Sequence, residues 1–166
     1  EMTSLGFYHG AHELKDVNLA KYDIINFEEL PEEPEVEYFF KRNGVEIPIF
    51  KTHKIIGTVI AKNDIKSTIS ILTTGGVVQV KFSKDYFAKF NRQLSETQTD
   101  GKKKVVEKSW FTRGVMVMIT GIRRGDQFQA KTYKKTLTHQ LYKIVEVKEN
   151  GDIELIHNRY GDQDEE

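Results

Sequence analysis

The chain has 166 residues and no cysteine, which excludes disulfide scaffolds and thiolate metal sites and fits a reducing compartment. No apolar run approaches the roughly 20 residues that cross a bilayer, and no basic-then-apolar leader opens the chain, so a cytoplasmic protein without a membrane partner is expected. The formal net charge is zero but unevenly spread: residues 1–50 carry 4 basic and 11 acidic side chains, residues 51–148 carry 20 and 7, and residues 149–166 carry 1 and 7. A middle segment this basic attracts a polyanion, while acidic ends solubilise or compete.

The length suits one domain with appendages. The chain starts Glu1-Met2, which points to a piece of a longer protein. Residues 27–50, "FEELPEEPEVEYFFKRNGVEIPIF", hold all three prolines and many glutamates and read as an extended acidic connector. Composition breaks near Lys51. "KIIGTVIAK" (54–62) and "STISIL" (67–72), joined by the turn "NDIK", read as a hairpin of half-buried strands, and "VVQVKF" (77–82) as a third strand after "TTGG". The period then changes. Ser83 fits a helix cap, and Tyr86, Phe87, Phe90 and Leu94 recur at helical spacing. "SETQTDGKKK" (95–104) reads as a mobile loop.

A strong strand follows from about Gly114 through "VMVMITGI", with Gly121 marking a bulge or bend of the kind that closes small barrels. After the "RRGD" turn come a short strand at 128–131, an alternating run at 141–147, and "IELIH" beyond the Asn150-Gly151 hairpin signal. Three strands, a short helix and two or three more strands predict a mainly β fold. Specifically, they fit a five- to six-stranded Greek-key barrel of the OB type with its helix between strands 3 and 4. An SH3-like barrel or an antiparallel sandwich is the alternative. The expected organisation is a segment and connector at 1–50, a barrel at 51–160 and an acidic tail at 161–166.

The chemistry-bearing residues point to binding. "DGKKK" lacks the second glycine and the Ser or Thr of a phosphate loop. His9 and His12 have no evident third metal ligand, and no nucleophile elbow or acidic cluster stands within the basic segment. No catalytic residue, metal or cofactor is expected. What remains is cations interleaved with rings: Lys81, Trp110, Phe111, Arg113, Arg123, Arg124, Phe128, Lys131 and Tyr133, with Phe82, Lys108, Lys134 and Lys135 nearby. Single-stranded nucleic acid uses both, since cations neutralise phosphates and flat rings accept unstacked bases. Trp110 and Tyr133 fit either a platform or the core, Phe82 and Phe111 fit the core better, and Phe128, beside the charged turn, fits an exposed position.

The run "KKVVEKSWFTRG…MITGIRRGDQFQAKTYK", with "GTVIAKN…STISILTTGGVVQVKF", resembles the OB-fold region near the C-terminal end of bacterial DNA polymerase III alpha subunits. "LGFYHGAHEL" (5–14) resembles the Gly-Phe-Tyr…His-Pro-Leu segment just ahead of that barrel, with Glu13 where proline is usual. The likeness spans nearly the whole chain. It implies a fragment of a DNA-directed DNA polymerase whose OB domain holds single-stranded template ahead of the active site and is not itself catalytic. The implied partners are single-stranded DNA, the rest of the alpha chain and other replisome proteins; Trp110, Phe111, Arg113, Arg123, Arg124 and Phe128 lie in the matching block. The alternatives are a protein-interaction OB module within the replisome, docking an acidic partner, and an RNA-binding module.

Overall fold

Alternation decides the central sheet. The computed structural model describes residues 17–132 and 139–156, the side chains of residues 106 and 107 excepted. In β4 (Thr68–Thr73) and β5 (Gly76–Lys81), Ile69, Ile71, Val78 and Val80 are buried, while Ser70, Leu72, Val77 and Gln79 face outward; successive strand side chains leave on opposite faces. β3 (His53–Asn63) pairs antiparallel with β4, and β4 with β5. The helix α1 (Lys84–Asn91) follows, capped by Ser83, whose hydroxyl accepts from the backbone N–H of Tyr86. Then come β8 (Met116–Arg124), β9 (Gln127–Ala130), β10 (Leu141–Val147) and β11 (Ile153–Ile156).

The barrel closes through β8. Its first half pairs with β3 on one side and β10 on the other, Met116 opposite Ile144 and Ile119 opposite Leu141; its second half pairs with β9, Gly121 opposite Ala130 and Arg124 opposite Gln127. β9 in turn runs parallel to β5, with Gln79 opposite Gln127 and Lys81 opposite Gln129. The circuit β3-β4-β5-β9-β8-β3 is a closed five-stranded barrel with an α-helix between its third and fourth strands, the expected OB-type architecture. β10 and β11 extend the sheet outside that circuit. Gly121 marks the exchange of partners. A Cβ there would lie 2.0 Å from the carbonyl oxygen of Gln129, so only glycine lets β9 cross this closely.

The rings close one end. Phe87 and Phe90 of α1 face the barrel, and the segment entering β8 supplies Trp110 and Phe111. Ring centroids lie 4.8 Å apart for Phe90–Trp110, 4.9 Å for Phe87–Phe111 and 5.2 Å for Phe82–Phe111. The backbone N–H of Trp110 donates to the carbonyl of Phe90 at 3.0 Å. Tyr86 packs on Phe90, and burial pushes its phenol up to about 12.

Two stretches differ from expectation. The connector is not simply extended: β1 (Val36–Arg42) and β2 (Val45–Phe50) form an antiparallel ribbon, with Phe40 opposite Ile47. Ahead of it, Val17, Ile24 and Leu30 are buried against the barrel. Residues read as a mobile loop also pair, as β6 (Leu94–Thr97) with β7 (Lys103–Glu107). Asp100-Gly101, a hairpin dipeptide, turns that ribbon, Gly101 at φ +83°. No helix among the described residues is long and apolar enough to cross a membrane.

Gly121→Ala is expected to lower stability by about 3 kcal/mol, the upper range for overpacking a tight core. Urea unfolding measures it; a loss below about 0.5 kcal/mol, typical of surface changes, contradicts the role assigned to this glycine.

Candidate nucleic-acid interface

An OB barrel presents oligonucleotides with the outer face of its second and third strands, flanked by the loops joining strands 1–2 and 4–5. In this chain the face is β4 and β5, and the two loops are residues 64–67 and the turn after Arg124. The face is polar and aliphatic. Gln79 donates to the Ser70 hydroxyl at 2.7 Å, Val77 is exposed, and Lys81 stands opposite Thr68.

The first loop is built by its own sequence. Asn63 Oδ1 accepts from the backbone N–H groups of Ile65 and Lys66, both at 3.1 Å, and Ser67 takes φ +57°. The Lys81 ammonium donates to the Lys66 carbonyl, bringing a strand-end cation onto the loop. Lys62 donates to Asn91 Oδ1 at 2.6 Å, and the Ser109 hydroxyl donates to the same oxygen at 3.1 Å. Asn91 thus ties the loop to the end of α1 and to the segment leading out of the lysine-bearing ribbon. Lys62 also pairs with Asp64 of the same loop at 4.0 Å, and the Asn91 side-chain amide donates to the Asp64 carboxylate at 3.4 Å.

The second loop is already engaged. Arg123 Nη1 donates to the carbonyls of Phe27 at 3.1 Å and Leu30 at 2.9 Å, and Nε donates to the Gly125 carbonyl at 2.7 Å. Its guanidinium lies 4.3 Å from the centre of the Phe27 ring. The N–H of Gly125 donates to the Glu32 carbonyl at 2.7 Å. The Glu28 carboxylate lies so close to the β4–β5 turn that a Cβ on Gly75 would fall 1.6 Å from it. Arg124 is exposed, its guanidinium 5.0 Å from the centre of the Phe50 ring. The Glu28 carboxylate thus borders the β4–β5 turn, whereas the other loop carries Lys66 and Lys81 together with Asp64, which pairs with Lys62 at 4.0 Å.

The expected contact residues fall into separate places. Trp110 and Phe128 are fully buried and Phe111 nearly so, at 2 % exposure. A sealed ring offers no face to a base, so none of the three can serve as a contact residue: the exposed position expected for Phe128 is corrected, Trp110 takes the core alternative, and Phe111 the core position it fitted better. The helix needs aromatic partners, and Phe128 meets Phe27 edge-on at 6.4 Å beneath the connector. Arg123 is likewise a structural clasp, because its donors satisfy carbonyls outside any strand ladder. Lys81 and Arg124 flank the face, and Lys131 follows β9, its backbone N–H on the Thr120 carbonyl. Arg113 is exposed in the turn before β8. Tyr133 lies outside the described residues, as do His9, His12, Lys134 and Lys135.

Sequence reasoning missed Lys66, Ser70 and Gln79, although the hairpin it drew at 54–72 already placed Lys66 in the turn. It also missed the β6–β7 lysines, for which Asp100-Gly101 was the available signal. Among the described residues no group of three or more His, Asp or Glu side chains is placed to hold a metal. A cavity of about 180 Å³ between the connector and the barrel, lined by Leu19, Phe27, Ile55 and Thr73 among others, falls below the roughly 300 Å³ of an ordinary ligand site. The described face offers lysine ammonium groups, an amide and hydroxyls, groups able to pair with anions and polar edges.

Replacing Arg123 by alanine is expected to cost about 2 kcal/mol, the range for hydrogen bonds from a charged group, against about 0.5 to 1 kcal/mol for Arg124→Ala, the range for an exposed cation–ring contact. Equal losses in urea unfolding of the two variants contradict the division of roles.

No family model matches the chain. Over 160 residues, 96% of the chain, it is 42% identical to the probable DNA polymerase YorL of Bacillus subtilis (strain 168), and to the same extent to the DNA-directed DNA polymerase of Bacillus phage SPbeta. The chain spans 12% of the length of each of these relatives. It is similar to one segment of DNA polymerases and itself folds as an OB-type barrel.

Proposed function

We propose that this chain is the single-stranded DNA-binding OB domain of a DNA polymerase of the polymerase III alpha type, holding template strand near the polymerase and not catalytic by itself. The observation that carries the reading is the coincidence of the closed five-stranded circuit with a basic central segment, in a chain similar to a segment of DNA polymerases. The strand runs over β4 and β5. Lys66 and Lys81 take phosphates at one loop, Arg124 at the other, and Ser70 and Gln79 bond base or sugar edges. Arg113 and Lys131 extend the field, with Tyr133 following. With Trp110, Phe111 and Phe128 sealed inside, recognition rests on charge and hydrogen bonding, which makes binding weak and loosely dependent on sequence.

A second reading has its own observation. The β1–β2 ribbon exposes Val36, Phe39, Phe40, Val45 and Ile47, at 38 to 61 %. A two-stranded ribbon is marginal alone, and clustered apolar side chains mark a docking surface. It fits a protein surface of the polymerase or its replisome partners, and the two readings use different faces.

With three to four phosphate contacts at about 0.7 each, affinity for a labelled single strand should fall about 30-fold between 50 and 200 mM salt. Fluorescence anisotropy measures it. Lys66→Ala with Lys81→Ala should shallow the slope, while Phe40→Asp on the ribbon should leave it unchanged. Absence of binding at low salt overturns the proposal, loss of binding in Phe40→Asp contradicts the separation of the two faces, and an acidic partner peptide that binds where the oligonucleotide does not favours the second reading.

A further inference from the structure

The β6–β7 ribbon leaves the barrel between α1 and β8, beside the proposed single-strand path, and that path makes no use of it. Its tip is ordered. The Gln98 N–H donates to the Lys102 carbonyl at 2.7 Å, the Gly101 N–H to the Gln98 carbonyl at 2.9 Å, and Asp100 Oδ1 accepts from the Lys102 N–H at 2.9 Å. Lys102, Lys103 and Lys104 are all exposed on this frame. Glu96 opposite Lys104 and Asp100 at the turn are the acidic side chains closest to them in the pairing.

Three features narrow the ligand. First, Lys103 and Lys104 are consecutive strand residues and leave on opposite faces of the ribbon. A single strand lying on one face meets only one of them, whereas the two phosphate walls of a duplex groove meet both. Second, a two-stranded ribbon, with strands about 4.8 Å apart, fits a major groove about 12 Å wide. Third, Val105 is the one large hydrophobic exposed among the described side chains of the ribbon. The described side chains of the ribbon thus offer less exposed apolar surface than those of β1–β2.

The base of the ribbon is fixed by Trp110 against Phe90 and by Ser109 on Asn91. Asn91 also holds Lys62, next to the single-strand loop. The ribbon thus starts where the proposed single-strand path ends.

We infer that the β6–β7 ribbon is a second nucleic-acid site, an arm that enters the groove of double-stranded DNA tip-first and grips its phosphates through Lys102, Lys103 and Lys104. This rests on the nucleic-acid reading above and deepens it: single strand on the barrel face with duplex on the ribbon makes the domain a reader of single-strand/duplex junctions.

The test compares the wild-type chain with a Lys102→Ala, Lys103→Ala, Lys104→Ala variant on three labelled ligands: a single strand, a blunt duplex and a duplex with a 5′ overhang. Matched thermal melts control for folding. The wild type is expected to bind the overhang ligand about tenfold more tightly than the single strand. The variant should lose that advantage, and its duplex salt slope should fall by about 0.9 for each lysine that meets a phosphate. Its single-strand affinity should stay within about twofold. Unchanged duplex and overhang binding in the variant overturns the arm, and an equal loss on single strand assigns the lysines to the barrel path instead. Duplex binding by a wild type that takes no single strand sustains the arm and sinks the single-strand reading.

Discussion

The structure depends on one strand serving three neighbours. β8 lies against β3 along its first six residues, holds β10 with its first half, and at Gly121 hands its free edge to β9. The exchange needs a position with no side chain, since the Gln129 carbonyl fills the space a Cβ would take. Closure follows from it, because β9 then reaches β5 in parallel and leaves the circuit no open edge. It also fixes which way the rings turn. The segment entering β8 crosses the end of the barrel under α1, so Trp110 and Phe111 meet Phe87 and Phe90 rather than solvent. Those rings stabilise the plug and are withdrawn from recognition.

Function inherits that division. With the rings inside, the outer face of β4 and β5 carries an amide, hydroxyls, aliphatic carbons and a lysine at its end, and on the proposed reading recognition of a polyanion rests on where cations stand around it. The connector makes their distribution lopsided. Arg123 is spent on carbonyls of Phe27 and Leu30, and the segment it holds brings the Glu32 carbonyl to Gly125 and the Glu28 carboxylate to the β4–β5 turn. On the proposed path a polyanion would meet Arg124 beside the acidic connector at one margin, and Lys66 and Lys81 at the other, where Lys62 pairs with Asp64. The acidic connector, which offsets only part of the middle segment's charge in the net total, also brings a carboxylate to one end of the barrel. The two ribbons divide similarly: one exposes phenylalanines and suits protein, the other exposes lysines and suits phosphate.

Much of the barrel was legible in the sequence because burial on one side of a strand writes period two directly: Ile69 and Ile71 against Thr68 and Ser70, then Val78 and Val80 against Gln79. Helical spacing of Tyr86, Phe87 and Phe90 behind Ser83 was equally plain. The ribbons were not. In β1–β2 neither face is sealed, so Phe39 and Phe40 are adjacent without alternation, and Pro48 sits in the pairing as an edge strand tolerates. In β6–β7 polar side chains gave no periodic signal at all. The candidate site was legible in charge and not in orientation. "SWFTRG" shows that rings and cations are neighbours in sequence, but the direction each side chain takes depends on α1 packing from elsewhere in the chain. Arg123 and Arg124 illustrate the limit: identical and adjacent, one clasps the connector while the other faces solvent.

The sole tryptophan provides the most direct test. If the barrel seals its rings and holds DNA by charge, the fluorescence of Trp110 should stay unquenched, both by added acrylamide and by a saturating single strand whose binding is read at the same time through the anisotropy of its own label. Strong quenching of Trp110 as the strand binds would show a base against that ring and contradict the account.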